Sequence, residues 1–424
     1  MDPTTYYAAS AGPAPARDAL RGRVDAQVCI VGGGFAGLAT AIGLIERGQR
    51  DVVVLEGETV GHGASGRNGG FVFGGFSLDN VQLLADQGRD NARAMYGLTR
   101  QAVQTIRRRI AQYAIDCDAV EGGVLLANWF DDDALLRKRQ DFMAREFDVH
   151  WQLLSHDQLG AFTTSQRYAG GLLEPDAFHF HPLKYARGLA VAIERDGGRI
   201  LERSPVTSIV SHGASGGHEV HAAGGVVHAR HVVICGGGYL RGVSPPLERA
   251  MLPIATYVMA TEPLGDRLAG SIPGRAAIYD TRFSFDYYRP LPDTRILWGG
   301  RISILDRGAE PIAKLLKRDL LKVYPELADV KVDYAWGGLM SYARHQMPQI
   351  GRLPDGSWHA LGFGGHGVGP TTAAGELIAD AIAAGTPIPR GFADYGLPRV
   401  WGKAGMLAAQ MTYNWAEFKD WLNG

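Results

Sequence analysis

The chain has 424 residues, and its 43 Lys and Arg nearly balance its 44 Asp and Glu, which leaves a formal net charge of −1. This length suggests two domains, and the balanced charge offers no basic field for nucleic acid. We expect a cytoplasmic protein without a disulfide framework, a metal site or a membrane span, because it has three cysteines, no Cys/His cluster at ligand spacing and no long apolar run.

The first 22 residues, rich in Ala, Pro and Gly, predict an extended arm over the surface. An apolar strand, a glycine turn, a helix over residues 35–47 and a strand ending in a carboxylate follow. The first glycine permits a tight turn, the second lets the backbone approach a pyrophosphate, and the third lets helix and strand pack closely. The helix N-terminus favours phosphate, and the carboxylate can accept hydrogen bonds from ribose hydroxyls. The predicted dinucleotide contacts, for FAD or NAD alike, are Gly32, Gly34, Phe35, Ala36, Gly37 and Glu56.

A glycine-rich loop follows between Gly61 and Gly70. The apolar Phe71-Val-Phe73 after it favours an ordered loop whose backbone N–H groups come close to a flat ligand. Apolar spacing then predicts a helix over residues 78–115, in which we interpret the run Arg107-Arg-Arg109 as a solvated face. A strand at 122–127 and a helix at 131–147 complete the first part of the chain.

The second part begins with a helix over residues 181–195 and a strand at 199–206. A hairpin then leads into an apolar strand that ends in Gly236 and Gly237, which brings the chain back to the same dinucleotide. The remaining segments are aromatic-rich strands, an amphipathic helix, a third glycine turn that starts a helix, and a helical tail, over residues 251–305, 312–324, 362–382 and 401–424.

Taken together, these segments resemble the D-amino-acid-oxidase-like superfamily of flavoproteins, and within it the gamma-glutamylputrescine oxidoreductases. The resemblance covers nearly the whole chain, and its most specific stretch is Ala64-Ser-Gly-Arg-Asn-Gly-Gly70. The other matching stretches are Tyr6-Tyr-Ala-Ala-Ser10, Gly170-Gly-Leu-Leu-Glu-Pro-Asp176, His181-Pro182 and Gly364-Gly-His-Gly-Val368. It implies an α/β fold (α+β overall), in which a doubly wound FAD-binding domain is interleaved with an antiparallel-sheet substrate domain.

On this basis we assign residues 23–80, 151–250 and 335–390 to the FAD-binding domain. Residues 81–150 and 251–334 then form the substrate domain, and residues 391–424 form a helical tail behind the N-terminal arm, 1–22. The resemblance places the loop before residue 71 along the isoalloxazine, one valine backbone at the adenine, and the third glycine turn at the flavin N1 and O2 edge. The further predicted FAD contacts are Ala64, Ser65, Arg67, Asn68, Gly69, Gly70, Val206, Gly236, Gly237, Gly364, Gly365, His366, Gly367 and Val368.

Three departures from the family pattern refine the prediction. Asn68 stands where some relatives carry a flavin-linking His, and the C-terminal segment lacks a linking Cys, so we expect non-covalent FAD. Met340 stands where glycine-oxidase-like members carry a carboxylate-binding Arg, which favours a longer amine over a simple amino acid, although Arg301 or Arg344 could supply a clamp. The strand at 295–301 lacks the Lys that promotes reaction with oxygen, which leaves oxygen or another electron acceptor open.

The predicted reaction is FAD-dependent oxidation of a C–N bond of a primary or secondary amine, such as a gamma-glutamylputrescine-like compound. A hydride would pass to flavin N5, and the imine would hydrolyse to an aldehyde. The candidate catalytic residues are Tyr287, Arg301, His366 and Trp298, with Tyr257 as a further aromatic wall. Two alternatives stay open: an amino-acid or N-methyl-amino-acid dehydrogenase that uses a non-oxygen acceptor, and a non-catalytic dinucleotide-binding subunit. A homo-oligomer is also compatible with the sequence.

Overall fold

The computed structural model describes residues 5–213, 216–305 and 307–423. The strands are β1 Gly22–Val31, β2 Val52–Leu55, β3 Phe71–Val72, β4 Val124–Ala127, β5 Gln152–Ser155, β6 Gly170–Glu174, β7 Phe178–His179, β8 Arg199–Leu201, β9 Val206–Ser211, β10 His218–Ala222, β11 Gly225–Ile234, β12 Met251–Thr261, β13 Ala277–Asp280, β14 Tyr287–Pro290, β15 Ile296–Ser303, β16 Val332–Ala343, β17 Gln349–Arg352 and β18 Trp358–Leu361. The helices are α1 Tyr6–Ser10, α2 Phe35–Glu46, α3 Asn80–Gln112, α4 Asp133–Phe147, α5 His156–Leu159, α6 Pro182–Arg195, α7 Pro245–Arg249, α8 Arg267–Ser271, α9 Ala309–Val323, α10 Val368–Ala384, α11 Arg390–Tyr395 and α12 Gly402–Asn423.

The first sheet has the strand order β17-β18-β11-β1-β2-β8, and β10 and β9 extend it from β11. Its central strand β1 pairs in parallel with β11 on one side and with β2 on the other. All four residues of β2 are buried, as are the last four of β1, which is typical of a parallel sheet covered on both faces. Parallel pairing brings the carboxyl ends of β1, β2 and β11 to one edge, where a ligand is expected.

The second sheet has the order β16-β12-β15-β14-β13-β4-β6-β5 and is antiparallel except for the parallel pair β13 and β4. The amphipathic helix α9 packs its buried residues Ile312, Leu316 and Leu320 against one face of this sheet. The predicted α/β fold with two interleaved sheets is confirmed.

Helices α2 and α10 pack so closely that a Cβ on Gly375 would lie 2.6 Å from the Ala39 Cβ. Arg47 at the end of α2 binds Glu376 at 3.0 Å and Asp380 at 2.7 Å on α10. We call this contact the α2–α10 junction. It joins the helix that follows the first glycine turn to the helix that follows the third.

The basic run on α3 was interpreted as a solvated face, and this interpretation is wrong for Arg109. Its side chain is fully buried, because this face of α3 packs on the α2–α10 junction. The guanidinium pairs there with Glu46 at 2.8 Å and with Glu376. The charge is therefore structural, and it fastens a third helix to the junction.

Other elements differ from the sequence prediction in extent. The arm contains the short helix α1, whose Tyr6 and Tyr7 are buried. The second arm of the predicted hairpin and the apolar strand after it form one continuous strand, β11. The predicted domain boundaries put β5, β6 and most of β16 with the FAD-binding unit, but these strands pair within the second sheet. Their partners are distant in sequence, so spacing alone could not assign them; the boundaries themselves stay a prediction.

Candidate active site

A cavity of about 950 Å³ opens at the carboxyl ends of β1, β2 and β11 and extends to the second sheet. That volume is at the upper end of the roughly 300–1,000 Å³ found for small-molecule sites. Among the described residues no group of three or more His, Cys, Asp or Glu side chains is placed to hold a metal ion. No helix in that part of the chain is long and apolar enough to cross a membrane.

The first glycine turn forms one end of the cavity from backbone alone. Gly32 has φ +110°, and a Cβ there would lie 2.8 Å from the Cys235 carbonyl oxygen. Gly34, at the N-cap of α2, leaves only 2.9 Å between a Cβ and the Ser65 hydroxyl oxygen. Gly37 lies behind the turn, where a Cβ would collide with the Gly32 carbonyl oxygen. Side chains are excluded at all three glycines, so the N–H groups at the start of α2 stay open to a phosphate, apart from that of Phe35, which donates to the Ser65 hydroxyl.

Glu56 stands at the end of β2 and lines the same end of the cavity. Its carboxylate accepts hydrogen bonds from the Gly33 N–H at 2.6 Å and from the Glu58 N–H at 2.9 Å. Burial raises the pKa of Glu56, and these two backbone donors act against that rise. Each carboxylate oxygen has a second lone pair, so the group can still accept hydrogen bonds from a ribose.

The loop from Ala64 to Gly70 is held from within. The Ser65 hydroxyl accepts the Phe35 N–H at 2.8 Å, which ties the loop to the first turn of α2. The Asn68 amide donates to the Ala64 and Ser65 carbonyls at 3.1 and 2.9 Å and accepts from the Gly70 N–H at 2.8 Å. Asn68 therefore keeps this loop in one conformation.

Arg67 and the remaining residues of the loop connect it to the second sheet. The Arg67 guanidinium donates to the His62 carbonyl at 2.8 Å and to the Gly337 carbonyl at 3.1 Å. Gly69 lines the cavity, whereas Gly70 does not: its φ is +79°, and a Cβ would collide with the Phe180 carbonyl oxygen. Further predicted contacts that line the cavity are Phe35, Ala36, Ala64, Ser65, Val206, Gly236 and Gly237.

The third glycine turn lines another part of the cavity with Gly364, Gly365, His366, Gly367 and Val368. Gly367 is the N-cap of α10, so this helix also begins at the cavity. The Ser77 hydroxyl fixes the turn, since it accepts the His366 N–H at 3.1 Å and donates to the Phe363 carbonyl at 3.1 Å. Two helix N-termini thus meet one cavity, an arrangement suited to an extended ligand with negative charge in more than one place.

His366 is a neutral imidazole in this turn. Burial lowers its pKa to about 4, and its Nε2 lies 3.3 Å from the Phe73 carbonyl oxygen. Its ring centroid is 4.0 Å from that of Phe73. The histidine is therefore packed between backbone carbonyls and an aromatic ring, and near neutral pH it carries no charge.

Among the aromatic side chains that line the cavity, five contact one another in a ring, and we call them the aromatic cluster: Phe71, Phe73, Tyr279, Phe285 and Tyr287. Each ring contacts the next in a closed circuit, with centroid distances of 6.4, 5.7, 5.9, 6.4 and 5.7 Å in that order back to Phe71. Tyr287 fits because two glycines face it: a Cβ on Gly69 would lie 2.6 Å from its ring, and one on Gly299 would collide with it.

Trp298 and Tyr257 were predicted to be walls of the substrate site, and the structure contradicts this. Trp298 is fully buried and stacks on Tyr288 at 4.4 Å, on the face of the second sheet that α9 covers. Tyr257 lies in the same core and donates its hydroxyl hydrogen to the Leu305 carbonyl at 2.6 Å. Side chains alternate along a strand, so Tyr287 faces the cavity and its neighbour Tyr288 faces the core with Trp298.

Neither of the two arginines predicted as possible carboxylate clamps is placed to bind a substrate carboxylate. Arg301 lines the cavity, but its guanidinium binds both Asp319 oxygens at 2.7 Å and pairs with Glu417 on α12. Arg344 lies over the Trp401 ring at 5.3 Å and does not line the cavity. Met340 does line it, so an uncharged side chain occupies that part of the wall.

Only Tyr287 of the aromatic cluster was predicted from the sequence as a site residue, and the other four members were missed. A period of two was visible in Phe71 and Phe73, and again in Phe285 and Tyr287, and such spacing puts each pair on one face of an extended segment. Tyr279 is opposite Tyr287 in the register of β13 and β14, which the sequence alone does not reveal. Arg139 on α4 and Tyr413 on α12 also line the cavity without having been predicted.

Comparison with known proteins agrees with this geometry. The family model described as "FAD dependent oxidoreductase" (DAO) matches residues 27–381. The gamma-glutamylputrescine oxidoreductase of Escherichia coli K12 is 38% identical over 381 residues, 89% of this chain and 88% of the relative. The probable oxidoreductase OrdL of Haemophilus influenzae is 33% identical over 363 residues, 84% of this chain and 83% of the relative. The crystal structure of glycine oxidase from Geobacillus kaustophilus has the same fold, with a TM-score of 0.74 at 21% identity, over 88% of this chain and 99% of that one.

Proposed function

The chain belongs to the FAD dependent oxidoreductase family (DAO), and from that premise we propose that it oxidises the terminal C–N bond of a long-chain amine, such as a γ-glutamylated diamine. The observation that carries this proposal is the aromatic cluster, whose five uncharged rings line the same cavity as the glycine turns. The name of the Escherichia coli relative supports the substrate class.

The residues present fit FAD. Glu56 and the first glycine turn would hold the ribose and the pyrophosphate, and the 64–70 loop and the third glycine turn would hold the flavin. FAD, when bound, supplies the acceptor for the two electrons removed from the C–N bond. We expect it to be non-covalent, because the Asn68 amide is committed to its own loop and burial raises the pKa of the cavity-lining Cys235 thiol to about 12.

The aromatic cluster favours the amine in its neutral form. Burial in apolar surroundings lowers the pKa of an amine by up to about 3–5 units, equivalent to about 4 kcal/mol or more. Attraction of an ammonium to aromatic faces returns only about 0.5–2 kcal/mol. The burial effect is larger, so the amine releases its proton to solvent as it binds, which leaves the nitrogen lone pair available.

The reactive end of the cavity is less suited to a simple α-amino acid. Such a substrate carries its carboxylate on the carbon that is oxidised, and Met340 cannot pair with a carboxylate. The Arg301 charge is already matched by Asp319 and Glu417. An amine whose charged groups lie several bonds from the oxidised carbon avoids this mismatch.

The test is an anaerobic screen of the FAD-loaded protein against γ-glutamylated diamines, free diamines, N-methyl amino acids and amino acids, followed by flavin absorbance. We expect γ-glutamylated diamines to bleach the flavin fastest. Bleaching only by amino acids would overturn the amine proposal in favour of the dehydrogenase alternative. No bleaching by any amine would favour the non-catalytic subunit.

Turnover in air distinguishes the electron acceptors, since peroxide forms only when oxygen accepts the electrons. The acceptor, the cytoplasmic location and a homo-oligomeric state remain predictions from the sequence.

A further inference from the structure

Arg139 differs from the other four arginines that line the cavity. Arg67 donates to backbone carbonyls, and Arg241 donates to the Leu240 carbonyl at 2.7 Å. Arg282 is held by Asp280 and Asp286, and Arg301 by Asp319 and Glu417. Within the described residues, Arg139 has neither a hydrogen bond nor an ion pair.

A second polar group without a partner lies beside it. The Arg139 guanidinium is 5.8 Å from the centroid of the Trp151 ring, and both residues line the cavity. The Trp151 indole Nε1 is buried and has no acceptor among the described residues. A guanidinium and an indole N–H are both donors, and a buried donor without an acceptor is costly. Arg139 is itself exposed, so this cost applies to the Trp151 N–H, and an anionic acceptor placed between the two donors would remove it.

Arg139 is near the aromatic cluster as well. Burial raises the pKa of Tyr279, and the positive charge of Arg139 acts against that rise. Glu174 feels the same charge, but it forms no ion pair with Arg139: burial raises its pKa to about 7, and it accepts a hydrogen bond from the Gly74 backbone. The arginine is exposed on α4 and also lines the cavity, so it is accessible to a substrate.

We propose that Arg139 and Trp151 bind the carboxylate of the substrate's amino-acid end, while the amine at the other end lies against the aromatic cluster. Arg139 takes over the charge recognition that Met340 cannot provide, at a point farther from the oxidised carbon. This inference rests on the proposed function and makes it more specific: it predicts selection of a carboxylate-bearing amine over the free diamine.

The test compares two probes that lack the oxidisable terminal amine. γ-Glutamyl-n-butylamide carries the carboxylate, and the second probe is the same molecule with that carboxylate converted to an uncharged carboxamide. Calorimetric titration into the FAD-loaded protein is expected to show that Arg139→Ala weakens binding of the first probe by about 10- to 100-fold, the range for loss of a charge-assisted contact. Binding of the second probe should not change. Trp151→Phe, which keeps an aromatic ring but removes the indole N–H, should weaken binding of the first probe by about 5-fold.

Arg137→Ala is the matched control, because Arg137 is exposed on the same helix, carries the same charge and does not line the cavity. The inference is wrong if the wild-type protein does not bind γ-glutamyl-n-butylamide, or if Arg139→Ala changes both probes equally. A carboxylate probe that depends on Arg139, together with an amine screen that never bleaches the flavin, would refute the proposed function and leave the anchor standing.

Discussion

At the end of the cavity formed by the glycine turns, where we propose that the dinucleotide binds (the dinucleotide end), the chain presents mostly backbone. At the end formed by the aromatic cluster, where we propose that the amine binds (the substrate end), it presents side chains. The first end is formed by glycines whose neighbours leave no room for a Cβ, and by N–H groups at the starts of α2 and α10. The second is formed by aromatic rings, Met340 and several arginines. Adding atoms to the dinucleotide end should therefore reduce FAD affinity, and removing atoms from the substrate end should reduce activity on the amine.

The largest effect is expected from Gly37→Ala. The added Cβ would collide with the Gly32 carbonyl oxygen and lie 3.2 Å from the Ile30 side chain, so helix and strand must separate. We expect more than about 100-fold loss of FAD affinity, together with a destabilisation of about 1–3 kcal/mol. Flavin absorbance per mole of purified protein and a thermal melt measure the two effects.

Gly97→Ala is the control for that change, because Gly97 lies within α3 and a Cβ there meets nothing within 4 Å. It should retain its flavin and gain up to about 1 kcal/mol from helix propensity. A yellow Gly37→Ala protein with an unchanged melting temperature would refute the view that this end is built from closely packed backbone.

Low pH is expected to reduce the free energy of unfolding through one buried histidine at each of two places in the site. Burial lowers the pKa of His359, under the dinucleotide end, and of His366, in the third glycine turn, to about 4. An unfolded imidazole takes up its proton below about pH 6.5, so the free energy of unfolding should fall as the pH drops from 6.5 to 4, by up to about 3 kcal/mol for each histidine. Denaturant unfolding at several pH values should show a shallower slope for His359→Asn than for the wild type. An unchanged slope would mean that the pKa of His359 is the same in the folded and the unfolded protein.

Tyr287→Ala tests the substrate end by removal. Opening the aromatic cluster admits water beside the amine, so kcat/KM for the amine should fall by about 10- to 100-fold. Tyr287→Phe keeps the ring and should stay close to the wild type. Flavin content should not change in either variant, and loss of FAD from Tyr287→Ala would mean that the two ends are not separable. Phe285→Ala, at an exposed ring, opens the same cluster with less risk to folding.

The smallest effect is expected on α12, which touches the cavity on one face only. Tyr413 lines the cavity and hydrogen-bonds with the Ser284 hydroxyl, so Tyr413→Phe should change KM by about 2- to 5-fold. Trp421 on the same helix is 72% exposed, and Trp421→Ser should leave both KM and stability within error. Equal effects of the two changes would place α12 outside the site.

The dinucleotide end could be predicted because its signal is local. Gly32, Gly34 and Gly37 are close in sequence and form a recognisable pattern, and the contact that requires Gly37, with the Gly32 carbonyl, lies within the same turn. The atoms that exclude a Cβ at Gly32 and Gly34 belong to Cys235 and Ser65, so the pattern predicted these two glycines without showing their contacts. The substrate end depends on strand phase and on distant partners. A one-residue step separates Tyr287 in the cavity from Tyr288 in the core, and the charge of Arg301 is balanced by Asp319 and Glu417, which are 18 and 116 residues away.

The α2–α10 junction has a consequence for how the protein loses its cofactor. Helices α2 and α10, which we propose to face the pyrophosphate and the flavin, are bound through Arg47, Glu376 and Asp380, so one cannot move away without pulling on the other. Heating should therefore release flavin in a single step that coincides with loss of helical signal. Free FAD should raise the temperature of that step by mass action. The junction therefore couples release of the cofactor to unfolding of the protein, and flavin fluorescence can be used to follow that unfolding.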